Sequence, residues 1–193
     1  MRVLISGGPG SGCTTTASAV GRALDIPVFD SDAFFHKPTD PPFQQQYSLG
    51  ERRDLLRSQL TGLDEWIISG SIAAWDLSGL TTTHGVFLEI PSGERLKRLE
   101  QRQKTQFGSR IASGCDMEEE HRSFLEWAAA YESRTGVGRN LSTDRAFLES
   151  RCDHFMGINT VVPLEELVAK VIRFLSEPHR AAAASAPGFR GGR

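Results

Sequence analysis

Short apolar runs alternate along the chain with longer segments whose apolar residues recur at helical spacing. The short runs are typical of buried β-strands and comprise residues 3–5, 28–29, 66–68, 85–90 and 154–158. The segments with helical spacing comprise residues 17–24, 51–63, 92–106, 116–132, 142–150 and 163–175. Because strands and helices alternate, the pattern predicts an α/β fold with a parallel sheet covered by helices on both faces.

A glycine-rich segment follows the first predicted strand and leads directly into the first predicted helix. This order of strand, Gly-x-x-x-x-Gly and helix is the context that a phosphate-binding loop requires. Glycines let backbone amides point inward as an anion site, and the helix adds the positive end of its dipole. The alternative is a tight turn between a strand and a helix. The pattern predicts an Mg²⁺ ligand at the hydroxyl of Thr14 and nucleotide binding by Gly7, Gly8, Pro9, Gly10, Ser11, Gly12, Cys13, Thr14 and Thr15.

Cys13 occupies the position at which the phosphate-loop pattern GxxxxGK[ST], the Walker A motif, has a lysine. A lysine brings a positive charge to the β- and γ-phosphates, whereas a cysteine side chain is shorter and never cationic. Two outcomes are open: an arginine supplies the missing charge, or the protein binds a nucleotide without efficient turnover. Because Cys13 begins a helix, its thiol is also expected to have a lowered pKa.

The segment Gly7-Gly8-Pro9-Gly10-Ser11-Gly12 resembles the phosphate loop of adenylate kinases and of related small-molecule P-loop kinases. Over most of residues 1–175 the chain also resembles a group of adenylate-kinase-like proteins that carry another residue at the lysine position. The resemblance implies a three-layer P-loop NTPase fold with a five-stranded parallel sheet and a short lid. It also implies ATP or GTP with Mg²⁺, and phosphoryl transfer to a small-molecule or nucleotide acceptor.

Asp30 and Asp32 follow the second predicted strand and lie two residues apart. As the strand opens out, both carboxylates can face the crevice beside the phosphate loop. One could hold Mg²⁺, with Asp30 the metal candidate, and the other could accept a proton from a substrate hydroxyl. Asp-Ser-Asp here resembles the Asp-x-Asp of shikimate-kinase-like enzymes and the acidic site of uridine-kinase-like enzymes. The alternative is that either aspartate caps the next helix.

Arg95, Arg98 and Arg102 recur on one face of a predicted helix. Arg98 and Arg102 resemble the arginine pair that precedes the lid of adenylate kinases, which implies contact with the transferred phosphoryl group. Arg95 is expected to lie on a solvated face of the helix. For Arg98 and Arg102, a solvated face is the alternative to phosphate contact. Segment 107–122 resembles a shortened lid, from which Arg110 would reach the phosphates on closure. The alternative for this segment is an ordinary surface loop.

Two further segments are candidates for holding the acceptor. Ser69, Gly70 and Ser71 follow the third predicted strand, where the glycine lets the backbone approach a substrate in kinases of the type that the chain resembles. Arg52 and Arg53 follow a proline-rich segment and could hold an anionic acceptor. An ordinary β–α turn and a solvated helix start remain the alternatives.

Composition narrows the class of protein. The 193 residues, 39% apolar and 24% charged, predict one domain over residues 1–176. Residues 177–193 lack apolar anchors and are predicted to form a disordered tail, with RNA contact through its arginines as the alternative. A net charge of −2 disfavours nucleic-acid partners, and no apolar run is long enough for a membrane span. Because the three cysteines show no close spacing and the first predicted strand begins at the N-terminus, we expect a cytoplasmic protein. The sequence does not indicate an oligomeric state.

Overall fold

A five-stranded parallel sheet forms the centre of the computed structural model, which describes residues 1–178. The strands are β1 (Arg2–Gly7), β2 (Val28–Asp30), β3 (Trp66–Ser69), β4 (Thr82–Glu89) and β5 (Cys152–Asn159). They lie in the order β2-β3-β1-β4-β5, and every neighbouring pair is parallel. The predicted sheet is therefore confirmed. From residue 179 onward, the predicted tail lies outside the described residues.

Residues 1–178 contain seven α-helices, six between the strands and one after β5. They are α1 (Cys13–Leu24), α2 (Asp32–Phe35), α3 (Leu49–Leu60), α4 (Ser92–Phe107), α5 (Glu118–Ala129), α6 (Leu141–Arg151) and α7 (Leu164–Ser176). The apolar pattern predicted all of them except α2, because four residues are too few to show a helical period. None of the helices in this part of the chain combines the length and apolar character that crossing a bilayer requires.

The core consists of two apolar layers, one on each face of the sheet. Val3 and Ile5 of β1 pack with α1 and α7 on one face, whereas Leu4 packs with α3 and α6 on the other. This alternation follows from the two-residue period of a strand, and because both faces are covered, the strand sequences are almost continuously apolar. The layers are helix, sheet and helix, as expected.

The sheet register brings the ends of three strands to one edge. Ile5 of β1 and Asp30 of β2 both lie opposite Ser69 of β3, and the amide of Ser31 donates to the carbonyl of Ser69 at 2.9 Å. In a parallel sheet of this kind, ligands bind in the crevice beyond the carboxyl ends of the strands. The glycine-rich loop after β1, the acidic segment after β2 and the Ser-Gly-Ser segment after β3 therefore share this crevice.

Candidate phosphate-binding site

Residues 7–15, the segment that the sequence predicts to bind phosphate and that we call the phosphate loop, curl back between the end of β1 and the start of α1. The amide of Ser11 donates to the carbonyl of Gly8 at 2.9 Å, and Gly10 and Gly12 have φ angles of +87° and +95°. A Cβ on Gly10 would lie 2.7 Å from the Cγ of Leu99 on α4. Glycine is therefore required at position 10 both by the backbone conformation and by the close approach of α4.

Backbone amides at the start of α1 are available to a ligand. The amide of Thr16 donates to the carbonyl of Gly12 at 2.9 Å, which is the first hydrogen bond of the helix. The preceding amides of Cys13, Thr14 and Thr15 have no acceptor among residues 1–178. Unpaired amides at the positive end of a helix dipole form a site for an anion, and phosphate fits it well.

Thr14 and Asp30 meet across the crevice. The hydroxyl of Thr14 donates to Oδ2 of Asp30 at 2.8 Å, and Oδ1 of Asp30 accepts from the amide of Asp32 at 3.0 Å. Asp30 therefore caps the short helix α2 and faces the phosphate loop at the same time. A hydroxyl and a carboxylate are hard oxygen ligands of the kind that Mg²⁺ prefers.

The donor set also fits the usual coordination of Mg²⁺ in number. No group of three or more His, Cys, Asp or Glu side chains suited to a metal occurs in residues 1–178. Mg²⁺ typically takes one or two carboxylates and completes its shell with phosphate oxygens and water. Thr14 and Asp30 are thus the residues that would hold it.

Asp32 has a carboxyl group with altered acidity, although the residue as a whole is exposed. Its pKa is raised, first because protein atoms exclude water from around the carboxyl and second because Asp30 is negatively charged. The side chains of Arg139, His36 and Arg102 partly oppose this shift. A carboxylate with a raised pKa is a stronger base than an ordinary aspartate.

The Cys13 thiol contacts another side chain of the phosphate loop: its Sγ lies 3.2 Å from Oγ of Ser11. Shielding from water raises its pKa to about 11, while the contact with Ser11 and the charge of Arg139 partly oppose this. The expectation of a lowered pKa was therefore wrong. Loss of hydration at the sulfur outweighs the helix N-terminus.

Arg95 is buried beneath the loop rather than solvated, which corrects the sequence-based expectation. Only 1% of it is exposed. Its guanidinium pairs with both carboxylate oxygens of Glu132, at 2.9 and 2.7 Å, and donates to the carbonyls of Pro9 at 2.9 Å and Ala128 at 2.8 Å. Arg95 thus ties the phosphate loop to the end of α5, a role that the helical spacing did not indicate.

Arg139 is a second arginine that contacts the loop, and the sequence did not single it out. Its Nη2 donates to the carbonyl of Gly7 at 3.1 Å, and its Nε donates to Oδ2 of Asp144 at 3.3 Å. Asp144 is fully buried and also accepts from the hydroxyls of Ser71 at 2.6 Å and Tyr131 at 2.9 Å. The available signal was the Gly-Val-Gly-Arg sequence before α6, an arginine beside glycines in a long connection.

The two arginines expected near the lid lie on α4 at different distances from the crevice. Arg98 pairs with Glu94 at 3.3 Å and lies 3.5 Å from the carbonyl of Thr160, beside the segment that follows β5. Arg102 is exposed and near enough to Asp32 to lower its pKa. Arg102 therefore lies toward Asp32, whereas Arg98 lies toward the segment that follows β5.

Arg110 joins the predicted lid to the proline-rich segment 36–50. Its guanidinium pairs with Asp116 at 2.6 Å and with Asp40 at 3.0 Å, and nearby the rings of Phe43 and Phe107 are 6.2 Å apart. In this conformation two carboxylates hold the arginine. Contact between Arg110 and the phosphates stays a prediction, and such a contact requires both ion pairs to break.

The residues predicted to bind the acceptor substrate are in contact with other parts of the protein. Arg52 lies 3.7 Å over the ring of Phe35, and Arg53 donates to the carbonyl of Trp75 at 2.7 Å. Ser69 is fully buried, and Gly70, with φ of +94°, has no room for a Cβ, which would lie 2.1 Å from Oγ of Ser31. Ser71 contacts Asp144, as described above. Gly70 and Ser71 follow the carboxyl end of β3, whereas Arg52 and Arg53 lie on α3 and are engaged by Phe35 and Trp75.

Comparison with known proteins gives one relative by sequence and a set of similar structures. Over 174 residues the chain is 28% identical to the uncharacterized protein YqaC of Bacillus subtilis (strain 168), covering 89% of this chain and 96% of that protein. No protein-family model matches the chain.

Among solved structures, deoxyadenosine kinase from M. mycoides with bound dATP is similar at a TM-score of 0.55 and 12% identity. The match covers 92% of this chain and 100% of that one. The chain has the fold of the P-loop kinases. Shikimate kinase from Aquifex aeolicus vf5 matches 91% of this chain and 96% of its own, at a TM-score of 0.47 and 20% identity. At these identities the likeness concerns the fold alone.

Proposed function

We propose that this protein binds ATP or GTP with Mg²⁺ in the phosphate loop and transfers the γ-phosphoryl group to a small-molecule or nucleotide acceptor. The observation that supports the proposal most directly is the 2.8 Å contact between Thr14 and Asp30 beside the unpaired amides of α1. An anion site and a pair of hard oxygen ligands adjoin each other there, as a Mg²⁺-nucleotide requires. The P-loop kinase fold, shared with a deoxyadenosine kinase whose structure contains dATP, agrees with this.

Each part of the crevice has a role in the proposed reaction. The loop amides bind the phosphates, and Thr14 and Asp30 hold Mg²⁺, which withdraws charge from the transferred group when bound. Asp32, whose amide donates to Asp30 at the same edge of the crevice, accepts the proton of the attacking hydroxyl. Arg98 and Arg102 on α4, and Arg110 once the lid has closed, are the candidates from the sequence for further contacts with the phosphates.

The acceptor side of the proposal uses the segments after β3 and before α3. Gly70 and Ser71 line the crevice next to Asp144, so the acceptor hydroxyl approaches over them. Arg52 and Arg53 would approach an anionic acceptor only if their contacts on α3 rearranged. We further propose that residues 1–176 form one domain with a lid at residues 107–122, and that the protein is cytoplasmic.

Nucleotide binding is tested by thermal unfolding with ATP, GTP, dATP or no ligand, each with and without Mg²⁺. A ligand present at 100 times its Kd stabilises the folded state by about 2.7 kcal/mol, so binding raises the melting temperature measurably. Asp30→Asn should abolish most of the increase in melting temperature that depends on Mg²⁺. Asp25→Asn, at the other end of α1, is the matched control and should leave it unchanged. Absence of stabilisation by any of these nucleotides would contradict the proposal.

Phosphoryl transfer is tested by following ADP or GDP formation over a panel of nucleosides, nucleotides, sugars and sugar acids.

A second function, nucleotide binding without useful turnover, is supported by Cys13 at the lysine position. Cys13→Lys separates the two, because it should raise the rate of a weak kinase and leave a pure binding protein inactive. A wild type that turns over no acceptor, with Cys13→Lys equally inactive, would favour the binding protein.

A further inference from the structure

The phosphate loop lacks a cation of its own. The side chain at the lysine position is the Cys13 thiol, which contacts Ser11 at 3.2 Å and cannot carry a positive charge. Losing a donor aimed at developing charge typically costs 10²–10³ in rate. A kinase built on this loop therefore needs a positive group from elsewhere in the chain.

We propose that Arg139 supplies the positive charge that Cys13 lacks, by contacting the β- and γ-phosphate oxygens of the bound nucleotide. This inference rests on the proposed function. It replaces the sequence-based candidates Arg98, Arg102 and Arg110 as the source of that charge, because Arg139 already donates to the loop at the carbonyl of Gly7.

The hydrogen-bond inventory of Arg139 leaves donors for a ligand. A guanidinium has five N–H groups, and within residues 1–178 only Nε and one hydrogen on Nη2 have acceptors, namely Asp144 and Gly7. The side chain is 29% exposed, so the remaining donors can be reached from solvent. A planar guanidinium with free donors is well suited to bind two phosphate oxygens at once.

The position of Arg139 is fixed by its neighbours. Asp144, which accepts from Nε, is fully buried and is itself held by Ser71 and Tyr131. Arg134 donates to the backbone carbonyl of Arg139 at 2.8 Å. A guanidinium held in place in this way loses little freedom on contacting a ligand, as preorganised catalytic groups require.

Arg139 also lies between the two chemical parts of the crevice. Its guanidinium donates to the carbonyl of Gly7 in the phosphate loop and to Asp144, which also accepts from Ser71 in the segment after β3. The phosphoryl group would pass between these two positions during transfer. The guanidinium is therefore within reach of the oxygens on which negative charge develops.

Three variants test the inference: Arg139→Gln, Arg139→Lys and the double variant Cys13→Lys/Arg139→Gln. Arg139→Gln should weaken ATP and ADP binding about tenfold or more and lower kcat by about 10²-fold, with AMP affinity unchanged. Arg139→Lys should recover part of the loss, and Cys13→Lys should restore it in the double variant. Arg151→Gln, at the far end of α6, is the matched control and should behave as wild type.

A merely structural role for Arg139 gives a different pattern. Affinity for AMP would then fall together with that for ATP, and Cys13→Lys would not rescue it; either result overturns the inference. Circular dichroism and the melting temperature check folding, and Arg139→Lys keeps the test valid if Arg139→Gln does not fold. Unchanged ATP affinity and kcat in Arg139→Gln, with an active wild type, overturn this inference alone. A wild type that binds no nucleotide overturns the proposed function as well.

Discussion

Arg95 and Arg139 donate to carbonyl oxygens of the same loop, yet their guanidinium groups lie in different environments. Arg95 is 1% exposed, and all three of its guanidinium nitrogens donate to protein oxygens. Arg139 is 29% exposed, and within residues 1–178 its side-chain donors contact only Asp144 and Gly7. An arginine whose donors are used internally can stabilise the loop, whereas one with free donors at the edge of a crevice can also bind a ligand. Burial, rather than residue type, separates the two roles.

The largest effect that would test this comparison is on stability, in Arg95→Met. The substitution leaves Glu132 without its cation and the carbonyls of Pro9 and Ala128 without donors. We expect the free energy of unfolding to fall by about 3 kcal/mol, measured by urea denaturation with circular dichroism. Arg98→Met is the matched control on the same helix, because its pair with Glu94 is exposed and should contribute about 0.5 kcal/mol or less. Equal losses in the two variants would contradict the structural role of Arg95.

A smaller effect is expected from Gly8→Ala, which crowds the buried side of the loop. The new Cβ would lie 2.9 Å from the ring of Tyr131 and 3.1 Å from Cδ of Arg95. Because that layer is already filled, we expect a loss of about 1–2 kcal/mol in the free energy of unfolding. Gly93→Ala on α4, where a Cβ meets nothing within 4 Å, is the control and should be neutral or slightly stabilising. A stable Gly8→Ala variant would mean that Tyr131 and Arg95 can move away from the loop.

The smallest effect is a change in thiol reactivity that reports the charge of Arg139. With a pKa of about 11, Cys13 should be alkylated more slowly than the exposed Cys115 at pH 8, and its rate should rise about tenfold per pH unit toward pH 10. Arg139→Gln removes a charge that lowers this pKa, so alkylation at a given pH should slow further. Mass spectrometry of the two cysteine peptides, without nucleotide, gives both rates. Unchanged kinetics in Arg139→Gln would place its guanidinium away from Cys13.

Local sequence was sufficient for the parts of the site that consist of backbone. The phosphate loop is a continuous segment in which φ angles require glycine at positions 10 and 12, so its position and shape could be predicted from residues 7–15. The meeting of Thr14 and Asp30 could also be predicted, because parallel strands place their carboxyl ends at one edge of a sheet.

Side chains that reach the loop from distant segments could not be predicted in this way. The spacing of Arg95 and Arg98 gives their separation on a helix, but their burial depends on where α5 packs. Arg139 and Asp144 come from a connection with no apolar period, and their relation to Gly7 spans more than 130 residues of sequence. The wrong expectation for the Cys13 pKa has the same origin, because shielding from water depends on packing and outweighed the local effect of the helix.

The sequence by itself therefore determined the α/β order of elements, the phosphate loop and the acidic residues at the end of the neighbouring strand. These depend on periodicity, glycine content and the direction of parallel strands, all of which act over short stretches of chain. Only the tertiary structure decided which arginine is buried, which one faces the crevice and whether the thiol of Cys13 is ionised. Those properties depend on the removal of water by residues far away in sequence, and no local pattern encodes that removal.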